Sequence, residues 1–198
     1  SAEDMDTVSH YLSALERKAG LPRGDVKMLS VMTETAQAFL SAATYGHGAR
    51  PRLTGVLWGA EDLSAALGAT ANTDINGELS FTYQMARSFC LAAAAASESQ
   101  PIDTVFSDFK DSEGLKANCR AARLEGFLGK IAIHPNQVDS INETFPPSID
   151  ESAHAPAVIT AFDSNPGKGT VGLKGTMLDR PHLVQAQRVM AMAKDSGK

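Results

Sequence analysis

A chain of 198 residues, 43% hydrophobic and 21% charged, has globular composition and is long enough to bury one sizeable core. Its net charge of −5 at pH 7 and the lack of any Lys/Arg run argue against a nucleic-acid surface, and no apolar stretch approaches membrane-spanning length, the Ala92–Ala96 run being too short and too weakly hydrophobic. No signal-peptide pattern opens the chain and its two cysteines, Cys90 and Cys119, lack metal-ligand spacing, so both are expected as buried reduced thiols in a cytoplasmic or organellar protein, cytoplasmic being the expectation adopted.

In residues 4–19, Met5, Val8, Leu12, Leu15 and Ala19 share one face of a 3.6-period helix that Gly20 and Pro22 stop. Lys27–Val31 reads as a short buried strand, and after it a helix turns Ala36, Phe39, Leu40 and Ala43 inward and ends near Gly46 and Gly48. Glu34 therefore falls where strand becomes helix, a place that suits first-turn dipole stabilisation and metal binding equally. Leu53, Val56, Leu57 and Trp58 form the next buried strand; it breaks at Gly59, passes Glu61 and Asp62, and gives way to Leu63, Ala66 and Leu67 at helical spacing. One of those acids can simply cap the helix. Parallel α/β proteins build sites at the carboxyl ends of strands, however, so a carboxylate here is also a candidate metal ligand. Glu34 and Asp62 are separated by about one strand–helix unit of a (β/α) barrel, so two neighbouring strands present one carboxylate each at the same rim. Mg²⁺ prefers such a set of few oxygen ligands, with water and substrate oxygens completing its octahedron.

Gly68 to Gly77 is a polar loop, and the Ala-rich helix at about Glu78–Ser97 packs through Met85, Phe89 and Ala93. Arg87 on this helix reads as solvated or as facing a substrate. Ile102–Phe106 is a third strand, and Asp108 and Asp111 in the following loop are turn and cap residues before a helix carrying Leu115, Cys119 and Ala122. Gly129–Pro135 is a fourth strand whose exit carries His134, a scaffold residue or a general base, and a helix runs from about Asn136 to Thr144. Ser148-Ile-Asp-Glu151 matches a capping box opening another helix, kinked near Pro156. Ser164–Gly169 looks phosphate-friendly, but Phe162 and Gly169 stand where a P-loop needs Gly and Ser/Thr, so it is read as a linker. Thr170–Leu178 is extended, and Asp179-Arg-Pro-His opens a last helix with Leu183, Ala186, Val189 and Met190 on its apolar face. By spacing alone Asp179 is its N-cap.

Five segments together resemble the citrate lyase beta-subunit-like family of CoA-ester lyases, in the HpcH/HpaI aldolase superfamily, whose members include malyl-CoA and citramalyl-CoA lyases. They are Glu34-Thr-Ala36, Gly59-Ala-Glu-Asp-Leu-Ser-Ala-Ala-Leu-Gly68, Ile102-Asp-Thr-Val-Phe106, Gly129-Lys-Ile-Ala-Ile-His-Pro-Asn-Gln137, and Gly169 through Gly175-Thr-Met-Leu-Asp-Arg-Pro181. They span nearly the whole chain in family order and spacing. The resemblance implies an α/β fold of the (β/α)₈ TIM-barrel type, with Mg²⁺ on Glu34 and Asp62. It implies that Glu34 and the turn Gly59, Ala60, Glu61 and Asp62 contact a bound 2-keto acid, and that Ile131, Ala132 and Ile133 lie beside the acyl-CoA. Asp179 occupies the place of the family's catalytic acid, on a carboxy-terminal lid that commonly reaches a neighbouring subunit's site, so a homotrimer or a hexamer is expected. The activity so implied is Mg²⁺-dependent cleavage of a short hydroxyacyl-CoA (malyl-CoA, citramalyl-CoA or citryl type) to an acyl-CoA and a 2-keto acid, with no nucleic-acid or membrane partner. The alternatives are a malyl-CoA thioesterase, a malate synthase-like Claisen enzyme and a non-catalytic subunit. One departure matters. The family begins with four strand–helix units carrying an acidic strand end, a substrate arginine, basic CoA contacts and a proline-lysine strand end, and none of these is present. Residues 1–147 are therefore expected as the carboxy-terminal half of a barrel, with four strands, and 148–198 as a helical extension and lid. The native polypeptide is expected to be longer by roughly 80–110 residues. Half a barrel leaves exposed edges and an open core.

Overall fold

In the computed structural model, which describes residues 1–195, the chain divides into two compact units, Ser1–Thr144 and Phe145–Lys198. Ser196, Gly197 and Lys198, the end of the expected lid segment, lie outside the described residues.

The first unit runs α1 (Ala2–Ala19), β1 (Met28–Val31), α2 (Ala36–Leu40), a 3₁₀ turn (Ala42–Gly46), β2 (Leu53–Leu57), α3 (Ala60–Leu67), α4 (Phe81–Ala96), β3 (Gln100–Asp103), α5 (Ser112–Glu125), β4 (Gly129–Lys130), a 3₁₀ turn (Pro135–Gln137) and α6 (Val138–Thr144). Its four strands are all parallel in the order β1-β2-β3-β4, with Val31 beside Leu57, Leu57 beside Ile102 and Ile102 beside Gly129. Sequential parallel strands joined by helical crossovers make the arc of a (β/α) barrel, the α/β architecture expected. One face of the arc carries the helices. There Val56 is fully buried and its carbonyl accepts from Cys90 Sγ of α4, and Ser30 bonds the Tyr45 hydroxyl of the first 3₁₀ turn. Leu29, Gly55, Ile102 and Gly129 share the opposite face. A side chain on Gly55 would sit 2.6 Å from Leu29 Cδ2 and 3.2 Å from the Gln100 carbonyl, so only glycine lets these strands carry Leu29 there. This second face is open, with Leu29 63% and Val31 38% exposed. Both cysteines are buried and free, and burial pushes the Cys90 thiol up to about 12.

Three expectations need correction here. The stripe on α1 is not its buried face: Val8 and Leu15 are exposed, and Ala2 and Glu16 are buried instead. The cause is Arg52 at the start of β2, which donates to both Glu16 oxygens (2.5 and 2.6 Å), to Ser9 and Ser13 Oγ, and to the Val26 carbonyl. Ser9, Ser13 and Glu16 follow helical spacing, so one guanidinium turns the polar side of α1 inward. The helix after β1 is shorter than expected, breaking at Ser41 into the 3₁₀ turn. The fourth strand stops at Lys130, because the Ile133 amide is taken by the Gln137 side chain (2.8 Å) instead of by a strand ladder.

The second unit contains α7 (Ile149–Asp163), β5 (Thr170–Leu173), β6 (Thr176–Asp179) and α8 (Arg180–Asp195). Ser148 and Glu151 form the expected capping box at the head of α7, and Pro156 lies inside that helix. Ala155, Val158 and Phe162 of α7 pack with Val171, Leu178 and Ala186. The segment read as one extended piece is an antiparallel hairpin, Thr170 pairing with Asp179 and Leu173 with Thr176. Lys174 and Gly175 at its tip both have positive φ (49° and 83°), the backbone of a two-residue turn that matches strand twist. Nor is Ser164–Gly169 a loose linker: Asn165 bonds the Phe162 and Ala161 carbonyls, and Lys168 bonds both the Asn165 backbone and its side chain.

Candidate functional site

The exits of β1 and β2 are tied to each other. Met32 donates its amide to the Leu57 carbonyl at 2.9 Å, and Thr33 Oγ1 accepts from the Gly59 amide at 3.0 Å. Thr35 caps α2, its hydroxyl accepting from the Ala38 amide, which leaves Glu34 exposed just ahead of the cap. Gly59 is the N-cap residue of α3, so neither neighbouring acid caps that helix; both lie in its first turn. Glu61 accepts from Asn72 Nδ2 at 2.9 Å. Asp62 folds back over Gly59: a Cβ on that glycine would lie 3.1 Å from Asp62 Oδ2 and 3.6 Å from Val31 Cγ1. The carboxylate thus sits on the Val31 side of the strand exit, in room left by the missing side chain.

Among the described residues, neither Glu34 nor Asp62 accepts a hydrogen bond or joins an ion pair, and no group of three or more His, Cys, Asp and Glu side chains could hold a metal. What the rim offers is two unpaired carboxylates on adjacent strand exits. That donor set suits a hard cation that keeps several waters, and not zinc. The backbone of the turn is partly committed, with Gly59 N–H bound to Thr33 and Ala60 N–H reaching Thr104 Oγ1 at 3.4 Å. The Glu61 and Asp62 amides follow at the start of a helix that has no side-chain cap.

Behind the rim lies a charge cluster that the sequence reading missed. Asp103, at the end of β3 and buried, accepts from Trp58 Nε1 at 2.9 Å, Arg87 Nε at 3.2 Å and Lys130 Nζ at 2.7 Å. Burial pushes the Asp103 carboxyl up, but the charges of Lys130 and Arg87 and the hydrogen bonds from Lys130 and Trp58 outweigh it and hold it below the usual value. Lys130 also donates to the Thr104 carbonyl. Arg87 is neither solvated nor free for a substrate: besides Asp103 it pairs with Glu125, and its guanidinium carbon lies 4.9 Å from the Phe127 ring centre. The available signal was an acid inside the strand Ile102-Asp-Thr-Val and a lysine inside Gly129-Lys-Ile, each costly to bury alone.

Beyond β4, Ile131 is half-buried while Ala132 and Ile133 are exposed. His134 is scaffold: its Nδ1 accepts from the Asn136 amide and its ring stacks on Phe109 at 4.7 Å. Asp108 accepts from the Lys110 amide and Asp111 caps α5, as expected of both.

In the second unit, Asp179 ends β6 and stands at the head of α8. Its carboxylate Oδ1 meets His182 Nδ1 at 2.5 Å, and its amide nitrogen lies 3.1 Å from the same ring nitrogen. Both side chains are close to half exposed. His182, which the sequence marks only as part of the helix opening, is the partner of the acid that the resemblance marks as catalytic.

Comparison with known proteins follows the same lines. The model of the HpcH/HpaI aldolase/citrate lyase family matches residues 1–135. The chain is 38% identical over 167 residues to the (3S)-malyl-CoA thioesterase of Cereibacter sphaeroides (strain ATCC 17029 / ATH 2.4.9), covering 83% of this chain and 56% of that protein. It is 38% identical over 143 residues to the mitochondrial citramalyl-CoA lyase of Mus musculus, covering 71% of this chain and 41% of the relative. Among solved structures, the CitE protein of Mycobacterium tuberculosis in complex with magnesium, acetoacetate and coenzyme A superposes with a TM-score of 0.70 at 32% identity, over 87% of this chain and 62% of that one. The chain thus spans about half the length of the curated relatives it matches.

Proposed function

From the premise that the chain belongs to the HpcH/HpaI aldolase/citrate lyase family, we propose that it is part of a Mg²⁺-dependent carbon–carbon lyase that cleaves a short hydroxyacyl-CoA to an acyl-CoA and a 2-keto acid. The observation that carries this reading is the pair of unpaired carboxylates, Glu34 and Asp62, on adjacent parallel strand exits, with Gly59 leaving room for Asp62. The magnesium bound to the relative CitE together with acetoacetate and coenzyme A supports the same choice of ion. On this reading residues 1–147 are the carboxy-terminal part of a TIM barrel and 148–198 the extension and lid.

Glu34 and Asp62 would hold Mg²⁺, which when bound supplies Lewis-acid polarisation of a keto-acid oxygen. The Glu61 and Asp62 amides, at the positive end of α3, would donate to the keto acid, beside the Gly59 and Ala60 backbone. Exposed Ala132 and Ile133, with half-buried Ile131, offer an apolar edge to the acyl-CoA. Asp179, ionised at rest, would take the proton released by the substrate hydroxyl as it becomes the keto oxygen and return that proton to the acyl carbon as the carbon–carbon bond breaks, acting first as general base and then as general acid. Identity to a malyl-CoA thioesterase keeps thioester hydrolysis as the second reading for the same site.

Calorimetric titration with Mg²⁺ and oxalate tests the metal assignment. Binding that is present in the wild type and lost in Glu34→Gln and in Asp62→Asn supports it; undiminished binding in either variant rejects that ligand, and a folded wild type that binds neither favours a non-catalytic subunit. Sharing of the Asp179 lid between copies of a trimer predicts that Asp179→Ala and Asp62→Ala, each inactive, regain partial turnover when co-assembled. No complementation places Asp179 at its own subunit's site.

A further inference from the structure

Of the polar clusters that the proposed reaction leaves unexplained, the one at the base of the hairpin makes the most specific demand. Asp179 ends β6 and His182 lies in the first turn of α8, so a single change of chain direction sets their side chains against each other. Pro181 between them locks one backbone angle of that turn. His182 Nδ1 has two neighbours: Asp179 Oδ1 at 2.5 Å and the Asp179 amide nitrogen at 3.1 Å. Their requirements are opposite. An ionised carboxylate only accepts, so it needs a proton on Nδ1; an amide N–H only donates, so it needs Nδ1 bare. A neutral ring satisfies one of the two. The contact with the carboxylate is the shorter, and charge-assisted hydrogen bonds are roughly twice as strong as neutral ones. It therefore sets the tautomer, with the proton on Nδ1 and the lone pair on Nε2.

We propose that His182 is a positioning residue for Asp179: its Nδ1–H holds Oδ1 and fixes the plane of the carboxyl group, leaving Oδ2 as the oxygen that addresses the acyl-CoA carbon. This rests on the reading of Asp179 as the proton-carrying group. At 46% and 48% exposure neither side chain is held by surrounding packing, so a carboxylate here would rotate freely without a partner. A group that must meet one carbon atom gains rate from being held in the productive orientation before the substrate arrives.

The test reads the ring before it reads the reaction. Long-range ¹H–¹⁵N correlation spectra of the full 198-residue chain with labelled histidine, His182 being identified by its loss in His182→Asn, should show the neutral ring protonated at Nδ1. Asp179→Ala leaves only the amide as neighbour and should move the proton to Nε2. A wild-type ring protonated at Nε2, or a tautomer indifferent to Asp179→Ala, overturns the pairing, and this readout needs no turnover. In cleavage of malyl-CoA or citramalyl-CoA by the whole enzyme of which this chain is part, His182→Ala should lower kcat roughly 10- to 100-fold with KM unchanged, the scale of a misplaced reacting group. His182→Asn, whose amide puts a donor near the Nδ1 position, should recover most of that loss. Equal losses in the two variants, or none in His182→Ala, overturn the positioning role. Asp179→Asn separates this from failure of the underlying reading: full turnover there shows that Asp179 is not the proton carrier, whatever tautomer the ring adopts.

Discussion

Two kinds of acid occupy the strand exits of the first unit, and the fold treats them in opposite ways. Asp103 is buried and surrounded by three donors, from Trp58, Arg87 and Lys130, that bind β2, α4 and β4 to the end of β3. Glu34 and Asp62, two strands and one strand away respectively, are exposed, and neither takes a donor among the described residues. A buried carboxylate whose two oxygens both accept from fixed donors is a fastener and offers little to a ligand. A carboxylate that the fold carries to a strand exit and leaves unpaired contributes little to stability and is free to bind. The two groups are linked through Trp58, which donates to Asp103 and precedes Gly59, so the buried set holds the turn on which the free set is mounted.

The largest effect should come from breaking the buried set. Asp103→Ala strands the Lys130 ammonium in the interior, and loss of one partner of a buried pair costs about 3–5 kcal/mol. Urea unfolding should show that loss, and Lys130→Met should destabilise as well. A change below about 0.5 kcal/mol for Asp103→Ala would mean that water replaces the lost partner and that the cluster is not a fastener. At the rim the order is reversed. Glu34→Gln and Asp62→Asn should leave stability within about 0.5 kcal/mol of wild type, as surface changes do, while removing Mg²⁺ binding. Either variant unfolding at markedly lower urea would move that acid into the structural group.

A third acid sharpens the contrast from the other end of the strands. Glu16 accepts hydrogen bonds from Arg52, and from the Gly24 and Val26 amides, and these hold its carboxyl down to about 2, against a usual value of 4.5. The unfolded chain binds this proton more readily than the folded one, so the stabilisation is complete above pH 4.5 and drains away as pH falls toward 2. Acid unfolding of the wild type should therefore steepen across that window, and Glu16→Gln, less stable at pH 7, should show a shallower acid limb. Parallel acid limbs for the two proteins would show that Glu16 gains nothing from Arg52.

Local pattern was enough for much of this. The β1 and β2 runs, the turn at Gly59, the Ser148 capping box and the places of Glu34, Asp62 and Asp179 all follow from spacing within a few residues. What spacing could not show are partners that meet only after folding. Arg52 finds Glu16 and Lys130 finds Asp103 across 36 and 27 positions of sequence; the first encounter turns α1 over, and the Arg87 contacts with Asp103 and Glu125 take that arginine out of solvent. The fourth strand was overextended for a related reason: Ile131–Ile133 has strand composition, but Gln137 reaches back to occupy the Ile133 amide. His182 was within reach of sequence, three residues past an acid at a helix start. A helix opening accounts for an Asp by capping alone, so spacing assigns no partner to the histidine beside it.

The smallest expected change is the most discriminating, because it adds and removes no charge. Gly59 has φ −114° and ψ 112°, a conformation open to any residue, so Gly59→Ala carries no backbone strain. The new methyl would meet Asp62 Oδ2 at 3.1 Å, closer than ordinary contact, with Val31 Cγ1 at 3.6 Å and Asp62 Cβ at 3.9 Å in ordinary contact. The carboxylate at the end of its flexible side chain is what gives way. Stability should then stay within about 0.5 kcal/mol of wild type, while affinity for Mg²⁺ with oxalate drops several-fold as Asp62 is pushed off its place. If the affinity is unchanged, the position of Asp62 over Gly59 is incidental to metal binding, and the acid engages the ion from some other rotamer. If affinity and stability fall together, Gly59 is needed for the strand exit itself, and the separation between fastening and binding acids does not extend to the turn that joins them.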